Sequence, residues 1–138
     1  MIISRSGQIV TNNHVVQGAD TVEVTIRGHG TRPAAVIGTD PAADIAVLKV
    51  SGLSGLPAVR FGDSARVAVG DQVLAIGNAL GLGGSPTVSQ GIISATGRSI
   101  TATEQTGSNP ERLHGLLQTD APIPRATPAA RWWTRPAR

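Results

Sequence analysis

Short apolar segments separated by Gly, Pro, Asn and Asp are the feature that most constrains how this chain can fold. In the segment TVEVTIR, residues 21–27, Val and Ile alternate with Thr and charged residues, the pattern of a strand that buries one face. The GHG sequence at residues 28–30 then supplies a turn. The segments AAVIGTD, IAVLKV and QVLAIGN continue the pattern, and no segment has a sustained helical period. The sequence therefore predicts an all-β fold, with a closed or nearly closed barrel rather than alternating strands and helices.

The length of the chain allows one ordinary domain or two very small ones. It has 138 residues, of which 40% are hydrophobic, a lean share for a globular core. The segment SGLSGLP, residues 51–57, indicates a linker between two groups of strands and would allow two small barrels. Residues 79–86 and 102–110 are dominated by Gly, Ser, Asn and Pro, which favours loops of the kind that often border functional sites.

The positive charge of the chain is concentrated near its C-terminal end. Residues 1–124 hold eight basic and nine acidic side chains, a net charge of −1, and the overall net charge of +3 comes from four later arginines, Arg125, Arg131, Arg135 and Arg138. No basic cluster interleaved with aromatic residues occurs in the body of the chain. We therefore expect no nucleic-acid partner.

Targeting signals and cysteines are both lacking in the sequence. No apolar run is long enough to span a bilayer, and the first residues, MIISRSGQIV, lack the features of a secretory signal. As written, the chain is expected to carry no membrane segment and to stay in the cytoplasm where it is made, although the compartment in which it works is unknown. Because there is no Cys, disulfides and thiolate metal sites are excluded.

One His lies just after a predicted strand, and one Asp lies just before another. His14 follows an apolar strand segment in TNNHVV, and Asp44 precedes the apolar strand IAVLKV. A partly buried carboxylate at that position could accept a hydrogen bond from an imidazole N–H. The pair fits the division of labour in which a carboxylate orients a His that takes a proton from a nucleophile.

Five blocks of the sequence extend this pattern. IVTNNHVVQGADTVEVTI, VIGTDPAADIAVLKV, FGDSARVAVGDQVLAIGN, VSQGIISATGRS and LQTDA closely resemble, in the same order, blocks of the trypsin-like protease domain of the high-temperature-requirement (HtrA, DegP) family. The resemblance runs from Ile2 to Ile123. It implies that His14 is the general base, that Asp44 is the orienting acid, and that a Ser nucleophile cleaves misfolded or exposed protein segments.

The resemblance also implies a domain organisation. It predicts a chymotrypsin-like double β-barrel, with a nearly complete first barrel at residues 1–52 that lacks its N-terminal strand, a partial second barrel at residues 53–123, and a disordered tail at residues 124–138. Intact relatives commonly carry a signal or membrane anchor and peptide-binding PDZ domains, and they assemble as homo-trimers. Their substrates are proteins or peptides.

The family's nucleophile motif is missing where the resemblance predicts it. In the family, QTDA leads into PGNSGGPL, but here it is followed by PIPRATPAARWWTRPAR, and no Ser occurs after Ser108. With permitted GC-rich codons for residues 124–134, the frame that begins at the third base of codon 124 reads PGNSGGPLVD. This suggests a lost base near codon 124 and a protease domain that is inactive as written. The alternative is a non-catalytic decoy, or a module that binds peptides or protease subunits.

Other candidate residues favour structural roles. Asp40 and Asp63 are expected to initiate turns, and His29 and His114 have no partner at metal-ligand spacing. Gly81, Gly83 and Gly84 are not followed by a helical pattern, so they do not indicate a phosphate-binding loop. The sequence thus predicts neither a metal nor a cofactor. If the tail is out of frame, Trp132 and Trp133 have no selected role.

Overall fold

In the parts of the chain that a computed structural model describes, eight β-strands make up most of the regular structure. The structure describes residues 1–77, 86–102, 111–122 and 130–133. The strands are β1 (Gln8–Thr11), β2 (Val22–Ile26), β3 (Gly30–Asp40), β4 (Ile45–Lys49), β5 (Gln72–Gly77), β6 (Thr87–Ala102), β7 (Glu111–Thr119) and β8 (Ala130–Trp133). Three short 3-10 turns, Asn13–Val15, Pro41–Ala43 and Ser64–Arg66, complete the regular elements. No α-helix occurs within the described ranges, and the all-β prediction is confirmed.

The first compact unit, Met1–Arg60, contains one antiparallel sheet with the strand order β1-β4-β3-β2. β2 and β3 form the hairpin predicted around residues 28–30, and the N–H of His29 closes its turn on the carbonyl of Ile26 at 2.9 Å. Alternation in β2 buries Ile26 and half-buries Val22 and Val24, while the residues between them are exposed. The period-two pattern of the sequence therefore corresponds to one buried face.

The core of this unit forms where β4 packs against the neighbouring strands. Its buried side chains are Ile9, Val16, Ile26, Ala46, Leu48, Val50 and Leu56. Alternate positions of β4 and the next residue contribute Ala46, Leu48 and Val50 to the same cluster. Thr11 at the end of β1 is in register with Ala46 near the start of the antiparallel strand β4. The residues just after β1 and just before β4 therefore lie close together, at the same end of the two strands.

The segment predicted as a linker has contacts of its own with the first unit. Leu56 is only 1% exposed, Leu53 packs against the same core, and the N–H of Leu56 donates to the carbonyl of Arg5 at 3.1 Å. The division between the two compact units falls after Arg60, whereas the sequence predicted it after residue 52. The segment SGLSGLP was predicted to be a linker, but Leu56 is buried in the core of the first unit and Leu53 packs against it, partly buried.

The second compact unit, Phe61–Arg138, contains an antiparallel sheet with the strand order β7-β6-β5-β8. Its buried side chains include Val73, Ala75, Ile93 and Ala121. Four residues of the tail that was expected to be disordered, 130–133, form β8 against β5. The rest of that tail lies outside the described residues, as do most of the predicted loops at 79–86 and 102–110.

Within the described residues, no helix has the length and apolar character needed to cross a bilayer.

Candidate active site

His14 lies in a tight turn that begins where β1 ends. The 3-10 turn Asn13–Val15 follows one residue after β1, and the N–H of Val16 closes it on the carbonyl of Asn13 at 3.0 Å. The N–H of Asn13 donates to the carbonyl of Asp44 at 3.2 Å, so the turn is attached to the start of β4. His14 therefore lies just after a strand, as the sequence predicted.

Asp44 lies in an unusual backbone conformation at the start of β4. The carboxylate of Asp40 accepts the N–H of Ala43 at 3.2 Å and caps the turn Pro41–Ala43. The N–H of Asp44 then bonds to the carbonyl of Pro41 at 3.2 Å. Asp44 itself is left-handed, with φ 50° and ψ 46°, a conformation that Asp tolerates better than most side chains. This ends the turn and directs the chain into β4.

The structure brings His14 and Asp44 into direct contact. Nδ1 of the His14 ring lies 2.8 Å from Oδ2 of Asp44, and the backbone N–H of His14 donates to Oδ1 at 3.0 Å. The amide Nδ2 of Asn12 donates to the same Oδ2 at 2.9 Å. Both carboxylate oxygens therefore accept hydrogen bonds, and the imidazole is held at Nδ1.

Burial differs between the two partners in the direction that a general base needs. The side chain of Asp44 is 9% exposed and that of His14 is 33% exposed. Because an ionised carboxylate only accepts hydrogen bonds, Nδ1 of His14 is the donor in this contact. The remaining ring nitrogen, Nε2, then carries the lone pair that can accept a proton. The accessible ring can therefore meet a hydroxyl while the carboxylate that contacts it stays covered.

The charge of Asp44 is stabilised despite its burial. Desolvation raises the pKa of Asp44, but the backbone N–H of His14, its ring and the amide of Asn12 all favour the ionised carboxylate. Together they hold the pKa of Asp44 below its usual value. The carboxylate is thus ionised at neutral pH and available to orient the ring.

Sequence reasoning did not identify Asn12 as part of this site. The only signal was the position of an amide side chain two residues before His14, in TNNHVV. Asn12 and Asp44 are 32 positions apart in the chain, and a local sequence pattern cannot predict a contact over such a separation.

The other candidates lie outside this cluster. Asp63 accepts the N–H of Ala65 at 3.0 Å and, like Asp40, caps a turn. The ring of His114 contacts the hydroxyl of Ser99 at 2.9 Å, and His29 is exposed in its hairpin turn. Over the described ranges, no group of three or more His, Cys, Asp and Glu residues could hold a metal ion. Ser108, Gly81, Gly83 and Gly84 lie outside those ranges.

Similarity to known proteins agrees with this geometry. Residues 1–126 match the trypsin-like peptidase domain. The chain belongs to this family. It is 42% identical over 120 residues to the serine protease Do-like HtrB of Bacillus subtilis, covering 87% of this chain and 26% of that protein. It is 41% identical over 125 residues to the periplasmic serine endoprotease DegP of Salmonella typhimurium, covering 91% of this chain and 24% of that one.

A solved relative shares the fold of this trypsin-like peptidase domain. The structure of the HtrA-type protease AlgW with a tripeptide superimposes with a TM-score of 0.76 at 39% identity, covering 97% of this chain and 41% of that one. The resemblance to the HtrA family and the chymotrypsin-like fold are confirmed. The chain spans about a quarter of the length of the HtrB and DegP relatives.

Proposed function

We propose that this chain is the peptidase domain of an HtrA-type serine endopeptidase, with His14 as general base and Asp44 as the acid that orients it. The observation that carries this proposal is the 2.8 Å contact between Nδ1 of His14 and Oδ2 of Asp44. The substrate class is an unfolded or exposed protein segment. That class is supported by the relative DegP, a periplasmic serine endoprotease, and by the structure of the HtrA-type protease AlgW with a tripeptide.

The chemistry follows from the two side chains. Nε2 of His14 takes the proton from a Ser hydroxyl as the hydroxyl oxygen attacks the scissile carbonyl, and later gives it to the leaving amine. The ring is positively charged between these two steps. The ionised Asp44 carboxylate stabilises that charge through Nδ1 and fixes the tautomer that leaves Nε2 free.

The nucleophile is the part that this chain lacks. After QTDA the sequence reads PIPRATPAARWWT, and it contains no Ser beyond Ser108. We infer that one base was lost near codon 124 and that residues after this point are translated out of frame. Without Ser and the backbone amides around it, the rate of peptide-bond cleavage is expected to fall by several orders of magnitude. Removal of triad members lowers kcat by about 10⁴-fold or more. The chain as written is therefore an inactive peptidase domain.

The nucleotide sequence across codons 120–138 tests the lost base directly. The frame that starts at the third base of codon 124 is expected to encode GNSGG. A different sequence in that frame would show that the tail has another origin.

A protein assay tests the peptidase proposal. Cleavage of unfolded casein would be measured for the chain as written, for a version with GNSGGPLVD restored by one inserted base, and for that version with His14→Ala. Activity is expected only in the restored version with His14 present. Equal activity in the restored version and its His14→Ala variant would contradict the role of His14.

A second candidate function is supported by β8. Residues 130–133 pair with residues 74–77 of β5, so the tail contributes to the sheet of the second unit. Such a chain could act as a non-catalytic module that pairs with an intact protease subunit or captures extended peptides at a strand edge. Backbone pairing tolerates many side chains, however, and an out-of-frame segment can also form it.

Binding distinguishes this second function from the first. The chain as written and a version ending at residue 123 would be titrated against an intact HtrA-type protease, with subunit exchange followed by fluorescence. Tight binding that requires residues 124–138 would support the binding module, and equal binding by the two versions would contradict a role for the tail.

A further inference from the structure

The backbone of Asp44, whose carboxylate contacts His14, is in a strained conformation. With φ 50° Asp44 is the only non-glycine residue with positive φ in the described parts of the chain. A side chain in this region is less favourable than one in the right-handed conformation, although Asp tolerates it better than most residues. The conformation therefore needs contacts that favour it, and those contacts also decide where the carboxylate points.

Asn12 supplies contacts to both the backbone and the side chain of Asp44. Its Nδ2 lies 2.9 Å from Oδ2 and 3.3 Å from the backbone carbonyl oxygen of Asp44. One amide group thus contacts the strained backbone and the oxygen that receives the His14 ring. The fixed separation of these two acceptors restricts rotation of the carboxylate.

The usual role of an Asn at this position is taken over by Asp44. Asn12 precedes the turn Asn13–Val15 as its N-cap, where an Asn side chain normally accepts a backbone N–H of the turn. Here Asn12 makes no such capping bond. The N–H of His14 in that turn is instead accepted by Oδ1 of Asp44 at 3.0 Å. Asp44 thus accepts the N–H that Asn12 would normally cap, and the Asn12 amide donates to Asp44.

We propose that Asn12 is a positioning residue, which fixes the Asp44 carboxylate so that Oδ2 meets Nδ1 of His14. This inference deepens the proposed function and rests on it for the catalytic consequence, but the positioning itself can be measured without a nucleophile. The Asn12 amide is neutral, so it orients the carboxylate without competing with a His14 ring that becomes positively charged. Among the described residues that contact the Asp44 carboxylate, His14 is the only ionisable one.

The experiment uses the chain as written, labelled for NMR. The titration of the Asp44 carboxyl carbon and the ring ¹⁵N shifts of His14 would be compared in the parent, Asn12→Ala and Asn12→Asp. Asn12→Asp preserves size but replaces the donor with an acceptor. Gln17→Ala, which removes an exposed amide just after the same turn, is the matched control.

Loss of the donor is expected to raise the titration midpoint of Asp44 and to shift the His14 ring away from a single Nδ1–H tautomer. Asn12→Asp should raise the midpoint further, because it adds a like charge. Gln17→Ala should change neither. An Asp44 midpoint and His14 ring shifts that are unchanged in both Asn12 variants would overturn the inference.

The catalytic consequence is measured separately in the version with GNSGGPLVD restored. There Asn12→Ala is expected to lower kcat about tenfold with little change in KM, since the lost hydrogen bond orients a charged group that acts in the chemical step and does not bind substrate. A kcat equal to that of the restored parent would overturn the inference. Absence of all activity in the restored parent would overturn the proposed function instead, and the NMR comparison would still decide the role of Asn12.

Discussion

The Asp44 carboxylate links the chemistry of the site to the stability of the fold. Burial raises its pKa, and hydrogen bonds and charge attraction from His14, together with the Asn12 amide, bring the net pKa below the ordinary value. A group whose pKa is lower in the folded chain stabilises the fold at any pH above its unfolded-state pKa, near 3.9 for Asp. That contribution is lost as pH falls through the lower, folded-state pKa.

Asp44→Asn should therefore cost most stability near neutral pH. The difference in free energy of unfolding between the parent and Asp44→Asn is expected to shrink as pH falls below about 4. Urea unfolding followed at several pH values would measure it, with Asp20→Asn, at an exposed position, as the matched control. A difference that is the same at pH 7 and at the lowest pH would contradict the assignment of the lowered pKa to Asp44.

Close backbone approaches set the geometry of individual elements. At Gly7, φ is +94° and an added Cβ would overlap the carbonyl oxygen of Val50. The N–H of Val50 donates to the carbonyl of Gly7 at 2.9 Å, so this approach anchors the segment before β1 to the end of β4. At Gly91 in β6, an added Cβ would lie 2.6 Å from Cα of Ala121.

Gly7→Ala is expected to destabilise the first unit through two effects. Backbone strain at positive φ costs about 1–2 kcal/mol, and overlap with the Val50 carbonyl adds about 1–3 kcal/mol. Gly18→Ala is the matched control, because φ there is +71° and an added Cβ meets nothing within 4 Å. Equal losses of unfolding free energy in the two variants would show that the approach to Val50 is unimportant.

Gly91→Ala is expected to destabilise the second unit by about 2 kcal/mol, because its Cβ would displace the backbone of Ala121. The displacement should also weaken the 2.7 Å bond from the N–H of Ile92 to Oδ1 of Asp120. Gly38→Ala in β3 is the control, since an added Cβ there meets nothing within 4 Å. Thermal or urea unfolding, with amide exchange at Ile92, would measure both effects, and unchanged exchange at Ile92 would contradict the second.

Local pattern predicted the elements better than it predicted their contacts. Alternating Val and Ile in residues 21–27 correctly predicted β2, and the GHG sequence after it predicted the turn. A period of two can be read locally because successive side chains of a strand point to opposite faces. Leu56 was missed as a core residue since the Gly and Ser around it carry a local signal of flexibility. Asn12 and the left-handed Asp44 were missed because both depend on a contact between distant residues. The pairing of His14 with Asp44 was expected largely through the family resemblance.

The chain as a whole combines the contact between His14 and Asp44 with a C-terminal segment that contains no Ser after Ser108. The blocks that resemble the HtrA family continue to Ile123, and the residues that follow contain Arg, Pro and Trp where the family has Gly and Ser. The proposed base and acid, His14 and Asp44, belong to the first unit, which extends to Arg60, so their hydrogen bonds to each other do not involve the tail. A change confined to residues after 123 would leave this pair intact.

Labelling with a fluorophosphonate, which reacts covalently with an activated Ser, tests both the proposed role of His14 and the proposed loss of the nucleophile. Intact-mass spectrometry would compare the chain as written, the version with GNSGGPLVD restored, and the restored version with His14→Ala. One equivalent of label is expected on the restored Ser, with none on the chain as written and little on the His14→Ala variant. Stoichiometric labelling of the chain as written would contradict the proposed loss of the nucleophile. Labelling of the restored version that is unaffected by His14→Ala would contradict the proposed role of His14.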